Sequence, residues 1–158
     1  MVEAIQLAME AELKAHKFYA DAVNQAMNER GKDLLQQLAK FEMKHYDALK
    51  RLSKSLEKEG EFIKYEGTKF DQMKSGFKSE VEGKLESNKD SIINILNLAI
   101  DAETKAFNQY KKMAEETEDP DGQEMFRTLA EEESLHRRIL SDEFYQLNNM
   151  GGVWSWGD

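Results

Sequence analysis

The chain has 158 residues, 40% of them hydrophobic and 34% charged, with a single proline and a net charge of −9. This balance predicts one domain of long amphipathic helices and excludes a disordered chain or a nucleic-acid surface, which would need clustered Lys and Arg. The absence of cysteine excludes disulfides, iron–sulfur clusters and other thiolate metal centres.

The first helix is predicted near 2–28, where Ile5, Ala8, Glu12, Ala15, Tyr19, Ala22 and Ala26 advance in alternating steps of three and four. Asn28-Glu29-Arg30-Gly31 follows as a break, with Gly31 suited to the left-handed conformation that ends a helix. A second helix near 32–57 carries Leu35, Leu38, Glu42, His45, Leu49, Leu52 and Leu56 on its seam. A connection of about residues 58–88 comes next, and within it Phe70, Met73, Phe77 and Val81 have the spacing of a short amphipathic helix. So long a connection needs a reason. Two hairpins related by a twofold axis perpendicular to the bundle supply one, because a helix of ~27 residues spans ~40 Å and the chain must return that distance.

Ser87-x-x-Asp90 reads as an acidic capping box opening a third helix near 88–117. Its seam is Ile92, Leu96, Ala99, Glu103, Ala106, Tyr110 and Met113. Asp119-Pro120 reads as an N-cap with Pro at the first helical position. The fourth helix, near 120–148, carries Phe126, Leu129, Glu133, His136, Leu140 and Leu147. Residues 1–150 thus form an antiparallel four-helix bundle of all-α class. Residues 151–158, with Trp154 and Trp156 among glycines, form a tail expected to dock on the bundle or on a second subunit. No apolar run approaches ~20 residues, and Met1-Val2-Glu3-Ala4-Ile5 lacks a basic region followed by an apolar stretch. The expectation is a cytoplasmic protein without membrane contact.

The two hairpins repeat each other with one offset. Glu12, Glu42 and His45 recur 91 positions later as Glu103, Glu133 and His136. Each half therefore places a lone Glu on one seam and a Glu-x-x-His on the next, where Leu, Ile or Ala would otherwise stand. Glu and His at i and i+3 share a helix face. Folding each hairpin back brings its three groups to one height. Four buried carboxylates repel one another unless cations neutralise them, and two divalent ions would bring the site close to neutrality. The set matches the di-iron and di-manganese carboxylate bundles, and oxygen–nitrogen ligation suits Fe or Mn and tolerates Zn. Tyr19 and Tyr110 obey the same offset and are placed to hydrogen-bond a liganding carboxylate of the facing helix. Ala15 and Ala106, one turn past each lone Glu, either leave room for an exogenous ligand or serve close helix packing. His16, one step off the seam, is a minor further candidate ligand.

At these residues the chain resembles the ferritin-like superfamily, and within it the rubrerythrins. Glu12 through Tyr19 and Glu103 through Tyr110 are similar to that family's first- and third-helix motifs. Glu42-Met43-Lys44-His45 and Glu133-Ser134-Leu135-His136 are similar to its second and fourth. The resemblance implies a non-haem di-iron centre bridged by Glu42 and Glu133, with Glu12, Glu103, His45 and His136 as terminal ligands. It implies reduction of hydrogen peroxide or dioxygen with electrons from an external donor, such as a rubredoxin-like protein or a reductase. It also implies a homodimer. No catalytic residue beyond the metal ligands is expected. A ferroxidase serving iron storage or detoxification is the alternative, and a helical interaction module with a structural metal a further one. Three departures stand out: Ala106 occupies the place of the family's usual seventh ligand, a Glu; no cysteine-rich rubredoxin domain is present; and the crossover is longer. The stretch Glu-Met-Lys-His also resembles bacterioferritin, where the Met ligates haem, but no haem is expected at Met43.

Overall fold

The computed structural model describes residues 1–25, 29–68 and 89–155, the side chains of 29–30, 89–90 and 148–155 excepted. Four helices account for most of it: α1 (Val2–Ala22), α2 (Glu29–Lys58), α3 (Lys89–Glu116) and α4 (Pro120–Ser155), with a 3-10 turn at Val23–Gln25 closing α1. Among the described residues there is no strand, and no helix is long and apolar enough to cross a membrane. α1 pairs with α2 and α3 with α4, and the two hairpins meet along α1 and α3.

The seams point inward as their spacing predicts, but the apolar core is not continuous. One cluster gathers Tyr19, Leu34, Leu35, Leu38, Ile92, Leu96 and Leu140. The other gathers Ile5, Leu49, Leu52, Tyr110, Met125, Phe126 and Leu129. Between them lies a polar layer of Glu12, Glu42, His45, Glu103, Glu133 and His136, each at most 2% exposed. Residues related by the 91-residue offset fall into opposite clusters: Leu34, Leu35 and Leu38 in one, Met125, Phe126 and Leu129 in the other. A twofold axis along the bundle would leave related residues at one height. Their exchange requires an axis perpendicular to it, passing through the polar layer. Each fully buried Leu of these clusters contributes about 1.5–3 kcal/mol by leaving water, so both ends of the bundle are firmly held around the acidic middle.

Three boundaries differ from expectation. The first break comes earlier, at Val23–Gln25, and Gly31 lies buried inside α2. The chain has already turned before reaching it, so no left-handed residue is needed there. The positive φ appears instead at Gly60, 71°, where its N–H bonds the Ser55 and Leu56 carbonyls and closes α2. α4 continues to Ser155 rather than stopping near 148. The docking expected of Trp154 and Trp156 lies outside the described residues. So do the amphipathic segment Phe70–Val81 and the capping box Ser87-x-x-Asp90.

Asp119 caps α4 as its position predicts, its Oδ1 accepting from the N–H groups of Asp121 (2.9 Å) and Gly122 (3.1 Å). The opening of the crossover runs along α4. Phe62 packs edge-on to Phe126 with centroids 6.4 Å apart, while Tyr65 and Thr68 reach Glu132. The chain thus climbs toward the far end of the bundle, as the return path requires.

Candidate metal centre

Glu12 of α1, Glu42 and His45 of α2, Glu103 of α3, and Glu133 and His136 of α4 converge in the polar layer. Their donor atoms form two groups, Glu12–Glu42–His45–Glu133 and Glu42–Glu103–Glu133–His136, with the atoms of each group within 4.8 Å of one another. Glu42 and Glu133 belong to both. The contacts mirror each other. His45 Nδ1 lies 2.8 Å from Glu133 Oε1 and 3.4 Å from Glu12 Oε2. His136 Nδ1 lies 2.9 Å from Glu42 Oε1 and 3.5 Å from Glu103 Oε2. The imidazoles stack at 6.0 Å with 16° between planes, and Phe41 stands edge-on to both, 5.1 and 4.4 Å away.

These short distances are not hydrogen bonds. Glu12 Oε2, both oxygens of Glu42, Glu103 Oε2, Glu133 Oε1 and His45 Nδ1 are buried without a hydrogen-bond partner. Atoms 2.8 Å apart that fail the directional requirement of a hydrogen bond are aimed at a common point rather than at each other. Leaving so many buried polar atoms unsatisfied would cost about 1–3 kcal/mol each. Cations between them remove that cost, so the residues present fit two metal ions.

The outer oxygens are accounted for. Tyr19 donates to Glu103 Oε1 at 2.6 Å and Tyr110 to Glu12 Oε1 at 2.7 Å. Each phenol occupies one carboxylate oxygen and leaves Oε2 facing inward. Burial and then the nearby carboxylates push both phenols well above the ordinary tyrosine range, so they stay protonated and act as donors. Burial also drives Glu42 and Glu133 well above the usual carboxylate range, with Glu103 and Glu12 adding repulsion. Burial pushes Glu12 and Glu103 the same way, but His45, Glu42 and Tyr110 together outweigh it at Glu12, and His136, Glu133 and Tyr19 at Glu103: Glu12 is lowered and Glu103 falls to about 2. Without metal, burial and mutual repulsion favour the protonated form of Glu42 and Glu133.

His16 stands apart. Its Nδ1 contacts the Ala39 carbonyl at 2.6 Å across the hairpin, and it joins neither group. Ala15 and Ala106 line a cavity that opens between α1 and α3 onto the acidic layer.

One participant escapes the repeat. Glu132 accepts a contact from His45 Nε2 at 3.2 Å, a hydrogen bond from Tyr65 at 2.6 Å and one from the Thr68 N–H at 2.7 Å. Gly67, at φ 86°, carries the backbone across α4 here, where a Cβ would stand 3.4 Å from Thr128 Cγ2. Glu132 therefore links His45 to the crossover. Burial raises Glu132, but His45, Tyr65 and Thr68 together bring it below the usual range. The position one repeat earlier is Phe41, so the twofold likeness that reveals the six central residues hides this one.

The rubrerythrin family model matches residues 94–151, a stretch holding Glu103, Glu133 and His136. A protein from Pyrococcus furiosus described as hypothetical has a similar solved structure. The TM-score is 0.72 at 25% identity, covering 94% of this chain and 90% of that one. No curated protein matches.

Proposed function

We propose that this rubrerythrin-like bundle is a non-haem di-iron oxidoreductase that reduces hydrogen peroxide, or dioxygen, with electrons from an external donor. The observation that carries the reading is the pair of donor groups sharing Glu42 and Glu133. A structural metal needs no second ion beside it, and no carboxylates common to both. Glu42 and Glu133 would be shared by two ions, with Glu12 and His45 helping to hold one and Glu103 and His136 the other.

Two iron ions there would supply the two electrons that reduction of an O–O bond requires. The protein's own contribution is positional. Tyr19 and Tyr110 fix the outer oxygens of Glu103 and Glu12, so that each presents a single inward oxygen. Phe41 holds both imidazole planes. The apolar clusters above and below shield the layer from water, and the α1–α3 opening gives an oxidant a way in. These 158 residues contain no cysteine, and the proposed source of electrons is a reductase or a rubredoxin-like donor. A homodimer acting in the cytoplasm completes the proposal. Sedimentation that finds only monomer would remove the dimer from it.

The deciding measurement is stopped-flow mixing of the iron(II)-loaded protein with peroxide or dioxygen. Peroxide is expected to oxidise it faster than dioxygen, with turnover only when a reductant is added. If peroxide leaves the spectrum unchanged while dioxygen and excess Fe(II) yield a mineral core, iron storage replaces this reading.

A further inference from the structure

Dioxygen and peroxide need little more room than a water molecule, whose share of liquid volume is about 30 Å³. The opening between α1 and α3 encloses about 450 Å³, within the ~300–1,000 Å³ typical of sites for organic ligands. Its shape follows from side-chain size. Ala11 and Ala15 on α1 face Ala102 and Ala106 on α3, so two helices that touch elsewhere leave a slot between them. Phe18 and Leu98 extend the walls, and Leu98 is 51% exposed to solvent. The floor is Glu12, Glu42, Glu103 and Glu133, with buried oxygens that lack hydrogen-bond partners. Lys14 and Lys105 stand exposed at the rim, one repeat apart, and among the described residues neither makes an ion pair or hydrogen bond. The twofold axis thus passes through an apolar slot with two cations at its mouth and four carboxylates at its base.

We infer that this slot binds an anionic amphiphile, an alkyl chain with a carboxylate head, as the organic substrate or effector of the site below. The charge distribution sets the orientation. The acidic floor offers an anion no positive partner when the layer is metal-free, and two divalent ions would only bring it near neutrality. Lys14 and Lys105 are the cations that line the slot. The head therefore sits at Lys14 and Lys105, and the chain descends between the alanines until its end reaches the acidic layer. This rests on the proposed function only for what lies beneath the chain end; binding itself needs no redox chemistry.

The test is titration of the full chain with dodecanoate by isothermal calorimetry, in metal-free and zinc-loaded forms. Zinc is redox-silent, so failure to reduce peroxide leaves this result readable. One dodecanoate per chain is expected in both forms, with dodecyltrimethylammonium, which has the same chain and a cationic head, about tenfold weaker or worse. Ala102→Phe, on the solvent-exposed wall, should weaken dodecanoate by about tenfold or more while two zinc ions are retained. The rim pair Lys14→Glu with Lys105→Glu should weaken it most at low salt, where exposed charges are least screened. Absence of binding, indifference to Ala102→Phe, or equal affinity for the cationic amphiphile would overturn the inference. So would binding confined to the zinc-loaded form, which would put the head on the ions. Sedimentation that shows a dimer unable to take up dodecanoate would assign the slot to a second copy instead.

Discussion

Glu132 shows how a single residue can make two otherwise matched ligand groups unequal. His45 meets its carboxylate, which Tyr65 and Thr68 hold in place, while the repeat puts the Phe41 ring at the related position. A carboxylate behind an imidazole fixes its tautomer and raises its basicity, and losing such a partner typically costs about 10–100-fold in metal affinity. Glu132→Ala is therefore expected to weaken the ion held by His45 by about that factor and to leave the other closer to native. A competitive zinc titration resolving two steps would show it; equal weakening of both would refute the asymmetry. Tyr19→Phe and Tyr110→Phe act more evenly. Each removes a buried hydrogen bond to a carboxylate, worth about 1.5–3 kcal/mol, and each should lower the denaturant midpoint by a similar amount. The six central residues were legible because an acid or imidazole on an apolar seam contradicts its neighbours, and because the contradiction occurs twice. Glu132 was not legible. In the run Glu131-Glu132-Glu133 it reads as part of a solvated face, and its partners come from a crossover whose path no periodicity reports.

At the scale of elements, helix starts marked by side-chain chemistry were easier to read than helix ends. Asp119-Pro120 opens α4 where its residue types predict, because the Asp side chain satisfies N–H groups that the helix leaves unpaired. Asp119→Ala is expected to cost about 1 kcal/mol in a denaturant titration, with metal stoichiometry unchanged, since the cap lies well over two turns from Glu133. Gly31 was misleading for the complementary reason: glycine permits a left-handed turn without demanding one. Which glycine takes a positive φ depends on where the chain must change direction, and that is decided at Gly60 by the end of α2 and at Gly67 by the close run of the crossover past α4. The continuation of α4 to Ser155 was likewise hidden, because Gly151-Gly152 argues for an end that the helix does not take.

The whole molecule is two apolar clusters joined by an acidic layer, so its stability depends on what neutralises that layer. In the unfolded chain, Glu titrates near 4.5 and His near 6.5. In the folded, metal-free chain Glu42, Glu133 and His45 all titrate above those values. Between each unfolded value and its folded counterpart the native state holds more protons, so stability falls as pH rises through that window and is recovered as pH falls. Glu12 and Glu103 work oppositely but lower: their contribution is present above 4.5 and is lost only as pH drops toward the folded values, about 2 for Glu103. The metal-free protein should accordingly melt at a higher temperature at pH about 5 than at pH about 8, since protons there do what cations otherwise would. The metal-loaded protein should show the reverse slope, because its ligands must be deprotonated and acid competes with the ions. Thermal unfolding across this range, with chelator and with added zinc, tests both slopes at once. A metal-free melting temperature that is flat or falls on acidification would mean that the carboxylates are not the groups setting the stability of the bundle.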